Sequence, residues 1–212
     1  EAYTGNITVN SGTFKLAGGF GSYDLWTASV AAQKNSNATA TLQIINGATA
    51  ELGALTITRT SQDANDAKIA GTNLVVTGGG TLTVESITVA SQQYVNAEKN
   101  FDWTSHGWGT LENRGGEATV KDHITVEAGG KFNMTGDVTV GRINTAAKTN
   151  KLAAGFIKHT EGTLTLNNGK SVNKGQVTVD HLELKDGSYF ETTANYDPTK
   201  VDKFSGSLFK AE

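Results

Sequence analysis

Residues 79–89 read GGTLTVESITV, and this segment decides the fold. Leu82 and Val84 alternate with threonine, and Ile87 and Val89 repeat the alternation a few residues later. Apolar residues at every second position predict a strand with one buried face, and threonine suits the exposed face of such a strand. Because glycine adopts positive φ without strain, the glycines before Thr81 predict a tight corner that leads into the strand.

The same unit, a glycine followed by alternating apolar residues, recurs along the chain. Its glycines stand at positions 12, 47, 80, 116, 130, 162 and 187, and the copy at 47 has its glycine one place early. A strand of four or five residues cannot bury its apolar face alone. Stacking the units solves this, because each added coil pairs its backbone with the previous one about 4.8 Å away. The repeat therefore predicts an all-β parallel β-solenoid (a β-helix).

Several copies are followed by a second apolar-Thr-apolar group, at residues 55–57, 87–89, 124–126 and 138–140, with a displaced case at 177–179. The two groups together predict inward-facing side chains at Phe14, Leu16, Leu52, Leu82, Val84, Ile87, Val89, Val120, Ile124, Val126, Phe132, Met134, Val138, Val140, Leu164 and Leu166. The spacing between Gly116 and Gly130 is unusually short. Either Gly130 turns a different corner of the coil, or the repeat changes register there.

Irregular loop insertions interrupt the repeat at about 17–40, 59–72, 90–109 and 141–155. Three of them begin just after an apolar-Thr-apolar strand, so we expect them to leave the solenoid at one edge. Short helices are predicted at 24–34, where Asp24 would cap the first turn, and at 91–99. We expect residues 1–192 to form the solenoid, and residues 193–212, which contain the single proline, to form a C-terminal cap or linker.

An antiparallel β-sandwich is the competing fold, because it also uses many short strands separated by turn residues. The similarity between the units favours the solenoid, since the strands of a sandwich have no reason to resemble one another.

Composition excludes several classes of function. With 18 Lys and Arg against 21 Asp and Glu, the net charge of −3 offers no basic footprint for nucleic acid. The absence of cysteine removes disulfides, thiolate metal ligands and thiol nucleophiles. The four histidines have no spacing typical of a metal site, and we expect each of them to lie at the surface or at a strand edge. The sequence therefore predicts no cofactor, no metal and no enzyme activity.

Residues 3–16, YTGNITVNSGTFKL, resemble the autotransporter-associated β-strand repeat, with Phe14 at a position where that repeat has leucine. Residues 79–84 and 161–166 are similar to its second half. The resemblance implies a right-handed β-helix that is the passenger of a type V secretion system in a Gram-negative bacterium. It implies a location at the cell surface and outer membrane, or secretion, with membrane attachment only through a barrel domain absent from this chain. The expected role is that of an adhesin or a structural stalk.

Aromatic residues in the insertions are the best remaining signal of a binding site. All three tryptophans lie in insertions, and exposed Trp and Tyr dominate binding hot spots and stack on sugar faces. The rings either pin a long loop against the solenoid or contact a partner. The candidate binding residues are Tyr23, Trp26, Tyr94, Phe101, Asp102, Trp103, His106 and Trp108. The expected partner is a host-cell or bacterial surface protein or glycan, or a second copy of the chain, and the alternative function is that of a glycan-binding or glycan-degrading β-helix protein.

Overall fold

The structure is a computed structural model. It describes residues 6–16, 40–58, 72–90, 93–96, 101–104, 107–150, 152–185, 187–192, 201–204 and 209–211. These described residues form twenty β-strands and no helix. The expectation of an all-β protein is confirmed.

The first sheet has seven strands, all of them parallel. In their order across the sheet they are β1 (Asn6–Val9), β3 (Ala40–Ile44), β5 (Thr72–Thr77), β9 (Trp108–Arg114), β11 (Lys131–Thr135), β13 (Phe156–Thr160) and β16 (Gln176–Val179).

The second sheet has eleven strands, also parallel. In chain order they are β2 (Thr13–Leu16), β4 (Thr49–Thr58), β6 (Thr81–Ala90), β10 (Glu117–Val126), β12 (Val138–Thr145), β14 (Leu164–Leu166), β15 (Gly169–Asn173), β17 (Leu182–Leu184), β18 (Ser188–Thr192), β19 (Val201–Phe204) and β20 (Phe209–Ala211).

The chain alternates between the two sheets, so that one strand of the first sheet and the following one or two strands of the second sheet make one coil. Each strand pairs in parallel with the equivalent strand of the next coil, as in the pairing of Leu55 with Ile87 and of Ile87 with Ile124. Stacked coils of this kind make a parallel β-solenoid, and the antiparallel sandwich is excluded. An antiparallel pair does occur within the described residues, in the hairpin of β7 (Gln93–Asn96) and β8 (Phe101–Thr104).

The second sheet is divided into two arms along each coil. β12 shows the division, because its residues 138–140 pair with β14, whereas Thr145 pairs with β15. The short spacing between Gly116 and Gly130 follows from this geometry. Gly116 lies at the corner between the first sheet and the first arm, and Gly130 lies at the corner where the second arm returns to the first sheet. Gly130 therefore turns a different corner of the same coil.

The core lies between the two sheets and is filled mainly by Leu, Ile and Val. Of the predicted inward-facing side chains, all but Phe14 and Leu16 are buried; Phe14 is partly buried against the core, and the side chain of Leu16 lies outside the described part of the chain. Burying each such aliphatic side chain contributes about 1.5–3 kcal/mol relative to exposure, so stacking supplies what a single short strand lacks.

Three repeat assignments are wrong. Residues 177–179 are predicted as a displaced second strand of the unit, but they belong to β16 of the first sheet and pair with β13. Residues 138–140 were grouped with the second strands of the unit, but they pair with residue 120 and its neighbours in the first arm. In the copy at Gly187, Phe190 is fully buried and Tyr189 is not, the reverse of the predicted alternation. The residue directly after the glycine, Ser188, already faces inward, as Ala48 does after the early glycine at 47.

The predicted helices and insertions can be compared with the observed strands. The helix predicted at 91–99 is wrong, because residues 93–96 form a strand of the hairpin, and the helix at 24–34 lies outside the described residues. The insertion at 141–155 begins later, since β12 runs through Thr145. The insertions at 59–72 and 90–109 end earlier than predicted, because β5 begins at Thr72 and β9 at Trp108, so Trp108 lies in a strand of the solenoid and not in an insertion. With these bounds, each of the three insertions follows the second arm and precedes a strand of the first sheet, as expected for loops that leave at one edge.

The C-terminal segment carries two strands that extend the stack. Leu184 pairs in parallel with Phe204, and Phe190 pairs with Phe209. The division at residue 192 and the role of residues 193–212 as a cap or linker remain predictions.

Candidate functional site

The outer surface of the first sheet carries a row of two aromatic rings with a lysine between them. Trp108, Lys131 and Phe156 begin three successive strands and stand directly opposite one another in the register. Lys131 Nζ lies 5.4 Å from the centroid of each ring. An ammonium at this distance is attracted to the face of a ring, by about 0.5–1 kcal/mol at an exposed site. We call these three residues the aromatic–lysine row.

Strand alternation explains why this row faces outward. In the strand that begins at Trp108, outward residues are half-buried or exposed, and inward residues are buried. The inward neighbours of the row are Gly109, Phe132 and Ile157, all of them in the core or against it. Packing of these neighbours fixes the strands, so the three outward side chains are held at consecutive strand positions.

A second outward row lies beside the first and is polar. Thr110, Asn133 and Lys158 stand opposite one another on the same three strands. On the preceding coil the row continues to Asn73, whose Oδ1 accepts a hydrogen bond of 2.8 Å from Thr110 Oγ1. The sheet therefore presents aromatic and cationic groups next to hydrogen-bonding groups.

The hairpin of β7 and β8 precedes Trp108 by a few residues. Its register places Tyr94 directly opposite Trp103. Phe101 lies two residues from Trp103, and residues two apart share one face of a strand. Asp102, opposite Val95, occupies a position on the other face. The hairpin thus brings the positions of Tyr94, Phe101 and Trp103 together and separates Asp102 from them.

Of the remaining predicted site residues, Tyr23, Trp26 and His106 lie outside the described part of the chain, so their association with Trp108 stays a prediction. Sequence reasoning missed Lys131 and Phe156. The signal that identifies them is positional: each follows a glycine, at 130 and 155, as Trp108 follows Gly107. The backbone N–H groups of Lys131 and Phe156 bond to the carbonyl groups of Gly107 and Gly130, which aligns the three strand starts.

A polar depression of about 470 Å³ lies on the outer side of the first arm. It is lined by a row of threonines, Thr119, Thr139 and Thr165, with Glu117 and Glu183 at its borders. Among the residues that the structure describes, no three His, Asp or Glu side chains are placed to hold a metal ion. The predictions of no cofactor and no metal stay predictions.

His159 is the one described histidine that contradicts its predicted exposure. It is fully buried in the first sheet between Met134 and Val179 in the register. Its Nε2 lies 2.7 Å from the carbonyl oxygen of Gly136, and its Nδ1 has no partner. Burial lowers the pKa of His159, so the neutral imidazole, with Nε2–H as donor, is the form that fits the core.

Asp122 marks the bend between the two arms. Its carboxylate lies 2.8 Å from His123 Nδ1 and 2.6 Å from Arg142 Nη1. These two partners, the hydrogen bond to His123 first, lower the pKa of Asp122. The cluster joins adjacent coils, because His123 stands opposite Arg142 in the register.

No protein-family model, no curated protein and no solved structure matches this chain. A search of the described residues for a helix long and apolar enough to cross a membrane finds none. Evidence about function therefore comes from the geometry of the chain itself.

Proposed function

We propose that this chain is part of the passenger of a Gram-negative autotransporter, exposed at the cell surface or secreted, and that it acts without catalysis as an adhesin or structural stalk. The proposal includes a right-handed coil, since parallel strands joined by crossovers wind right-handed in nearly all proteins. It rests on the similarity of residues 3–16 to the autotransporter repeat and on the stack of parallel coils.

The observation that carries the adhesive role is the aromatic–lysine row on the outside of the stack. In a stack of coils each coil contacts only its neighbours, so further coils can be added without changing the core. Added coils would carry an outer row such as this one farther from the end of the stack. Trp is among the residue types that dominate binding hot spots, and Trp108 is half-buried on the outer surface. Tyr94, Phe101 and Trp103 of the hairpin precede Trp108 in the sequence by five residues or more, and their contact with the same partner is part of the proposal.

Glycan binding is the second candidate, and the spacing of Trp108 and Phe156 favours it. Aromatic rings stack on the apolar faces of sugars, and two rings on one flat sheet can accept two units of a chain. A glycan-degrading enzyme on this fold would need acid and base groups beside such a platform. Turnover of a panel of acidic and neutral polysaccharides tests that alternative, and we expect none.

Surface display tests the adhesive role. The 212-residue chain is fused to an outer-membrane barrel and displayed on bacteria, and adhesion to epithelial cells and to sister bacteria is counted against bacteria that display an unrelated domain of similar size. We expect adhesion above this background. Trp103→Ala and Trp108→Ala should abolish adhesion and leave the melting temperature of the purified chain nearly unchanged.

Two outcomes would contradict the adhesive role. Bacteria displaying the wild-type chain would adhere no better than the control, or both variants would adhere normally while losing several degrees of thermal stability. The second outcome would mean that the rings pack the hairpin against the solenoid and bind nothing else.

A further inference from the structure

The chemistry of the aromatic–lysine row narrows the class of ligand. We propose that Trp108, Lys131 and Phe156 form a binding strip for an acidic polysaccharide, in which two sugar units stack on the rings and an acid group between them contacts the lysine. This inference rests on the glycan-binding form of the proposed function and names its substrate class.

The ring spacing suits an extended sugar chain. Trp108 and Phe156 are separated by two strand spacings of the first sheet, about 9.5 Å. An extended polysaccharide presents the same face of every second sugar at a comparable interval, so two alternate units meet the two rings. The intervening unit then meets Lys131, whose ammonium is equally distant from the two ring centroids.

Local charge selects an acidic chain over a neutral one. Lys131 and Lys158 are exposed on adjacent rows of the strip, although the whole chain carries a net charge of −3. Glu112, two residues beyond Thr110 on the same strand, is paired with Arg114, and Glu127 is exposed at the corner before Gly130. Because Glu112 is compensated by its own arginine, Lys131 and Lys158 stand against Glu127 alone, and the strip with its corner keeps one net positive charge.

The polar row beside the rings supplies hydrogen bonds to sugar hydroxyl groups. Thr110 and Asn133 are half-buried and outward-facing on the same strands as Trp108 and Lys131. A hydroxyl and an amide at fixed positions are typical of sites that orient a ligand after stacking has supplied the affinity. The strip thus combines two stacking rings, two cations and two hydrogen-bonding groups within three strands.

A second lysine of the protein provides a matched comparison. Lys170 Nζ also lies 5.4 Å from the centroid of a ring, that of Tyr189, but on the second sheet. Its ammonium is 2.7 Å from Glu191 Oε2, which neutralises its charge. Lys170 therefore has the same cation–ring geometry without the second ring and without the excess charge, and Lys170→Gln is the control for Lys131→Gln.

Calorimetric titration of the purified chain with defined oligosaccharides tests the proposal. The probes are hyaluronan and alginate oligomers, which carry carboxylates, chondroitin sulfate and heparin oligomers, which also carry sulfates, and neutral cello- and dextran oligomers. We expect binding of acidic oligomers that weakens as salt is raised. Lys131→Gln should weaken it at least tenfold and Lys170→Gln less than twofold, and the carboxylate-only and sulfated probes identify the acid group.

Trp108→Ala and Phe156→Ala should each weaken binding of the same oligomers, and the melting temperature of each variant is measured beside it. Should either ring variant fail to fold, Lys131→Gln carries the test, because an exposed lysine contributes little to the core. Three results would overturn the proposal: no acidic oligomer binds, neutral oligomers bind as tightly as acidic ones, or the two lysine variants weaken binding equally. If bacteria that display the chain adhere but the chain binds no oligosaccharide, the binding strip is refuted and the adhesive role stands. If the chain binds acidic oligosaccharides but the bacteria do not adhere, the adhesive role is refuted and the binding strip stands.

Discussion

The contact between Gly109 and Phe132 beneath the aromatic–lysine row offers a direct test of how the coils stack. These two residues stand opposite each other in neighbouring coils. A methyl group added at Gly109 would lie 3.0 Å from Cδ2 and Cε2 of Phe132 and 2.7 Å from Ile57 Cδ1. Ordinary carbon–carbon contacts are about 3.5–4.0 Å, so the methyl group would overlap both side chains. Overpacking of this kind costs about 1–3 kcal/mol.

The net cost of Gly109→Ala is smaller than the overlap alone. Alanine reduces the conformational freedom of the unfolded chain, which offsets about 0.4–1 kcal/mol. We therefore expect Gly109→Ala to lower the free energy of unfolding by about 1–2 kcal/mol, within the range set by these two effects. Phe132→Ala should lower it by about 3–5 kcal/mol, because a fully buried ring is lost.

The double variant decides whether the two residues touch. With the ring removed, the new methyl group at 109 no longer overlaps Phe132, although its overlap with Ile57 Cδ1 remains. The double variant should therefore be less destabilised than the sum of the single variants by at least about 0.5 kcal/mol. Free energies come from urea unfolding with equal m values. Gly109→Ala combined with Leu166→Ala, in the second sheet, is the additive control. Additivity of the Gly109 and Phe132 variants would refute the stacking register.

Three further predictions concern stability. Burial lowers the pKa of His159 in the folded chain, whereas the histidine of the unfolded chain binds a proton near pH 6.5. The free energy of unfolding should therefore fall as pH drops from about 6.5 toward the lower folded pKa. Urea midpoints measured against pH should show this slope in the wild type, and persistence of the slope in His159→Gln would contradict the assignment. Gly155→Ala should reduce the melting temperature more than Gly115→Ala. A methyl group at 155 would lie 2.2 Å from a backbone carbonyl oxygen, whereas a methyl group at 115 would have no atom within 4 Å and only the positive φ of 82° would disfavour alanine there. Equal melting temperatures of the two variants would argue against the corner geometry. Lys15→Gln should change the free energy of unfolding by less than about 1 kcal/mol, since its ion pair with Glu51 is exposed, and a larger loss by urea unfolding would show that outer rows stabilise the stack.

The sequence was most informative where one physical rule acts alone. Leu82, Val84, Ile87 and Val89 are all buried as the period of two predicts, because only their apolar alternation decides which face they occupy. The parallel stack followed from the similarity between units, since equivalent residues pair with one another only when the coils are in register.

The sequence could not separate features that share one pattern. The apolar-Thr-apolar group occurs in both arms of a coil, so the placement of residues 138–140 needed the pairing itself. In the copy at Gly187, Tyr189 and Phe190 are both aromatic, and only the position of the corner decides which one points inward. The short apolar and polar run at 93–96 has no period that distinguishes a hairpin strand from a helix.

The candidate site was predicted in part for a related reason. Trp108 was identified from its residue type, whereas Lys131 and Phe156 are distant in the sequence and join it only through the strand register. His159 was assigned to the surface because histidine is polar. The structure buries it where the carbonyl group of Gly136 accepts a hydrogen bond from the ring, a partner that no sequence pattern marks.

Every functional proposal depends on parallel coils that bring distant residues into rows, and distances along one row measure this directly. The outer row of the first arm runs through Lys15, Glu51, Thr83, Thr119, Thr139, Thr165 and Glu183, and the register continues to position 203. Because the chain has no cysteine, Lys15→Cys with Glu183→Cys places two spin labels cleanly for a double electron–electron resonance measurement. Six strand spacings predict a single backbone separation of about 29 Å, and moving the first label to Glu51 should shorten it by one spacing, about 4.8 Å. A broad distribution, or a distance that does not change by one strand spacing, would contradict the stacked solenoid.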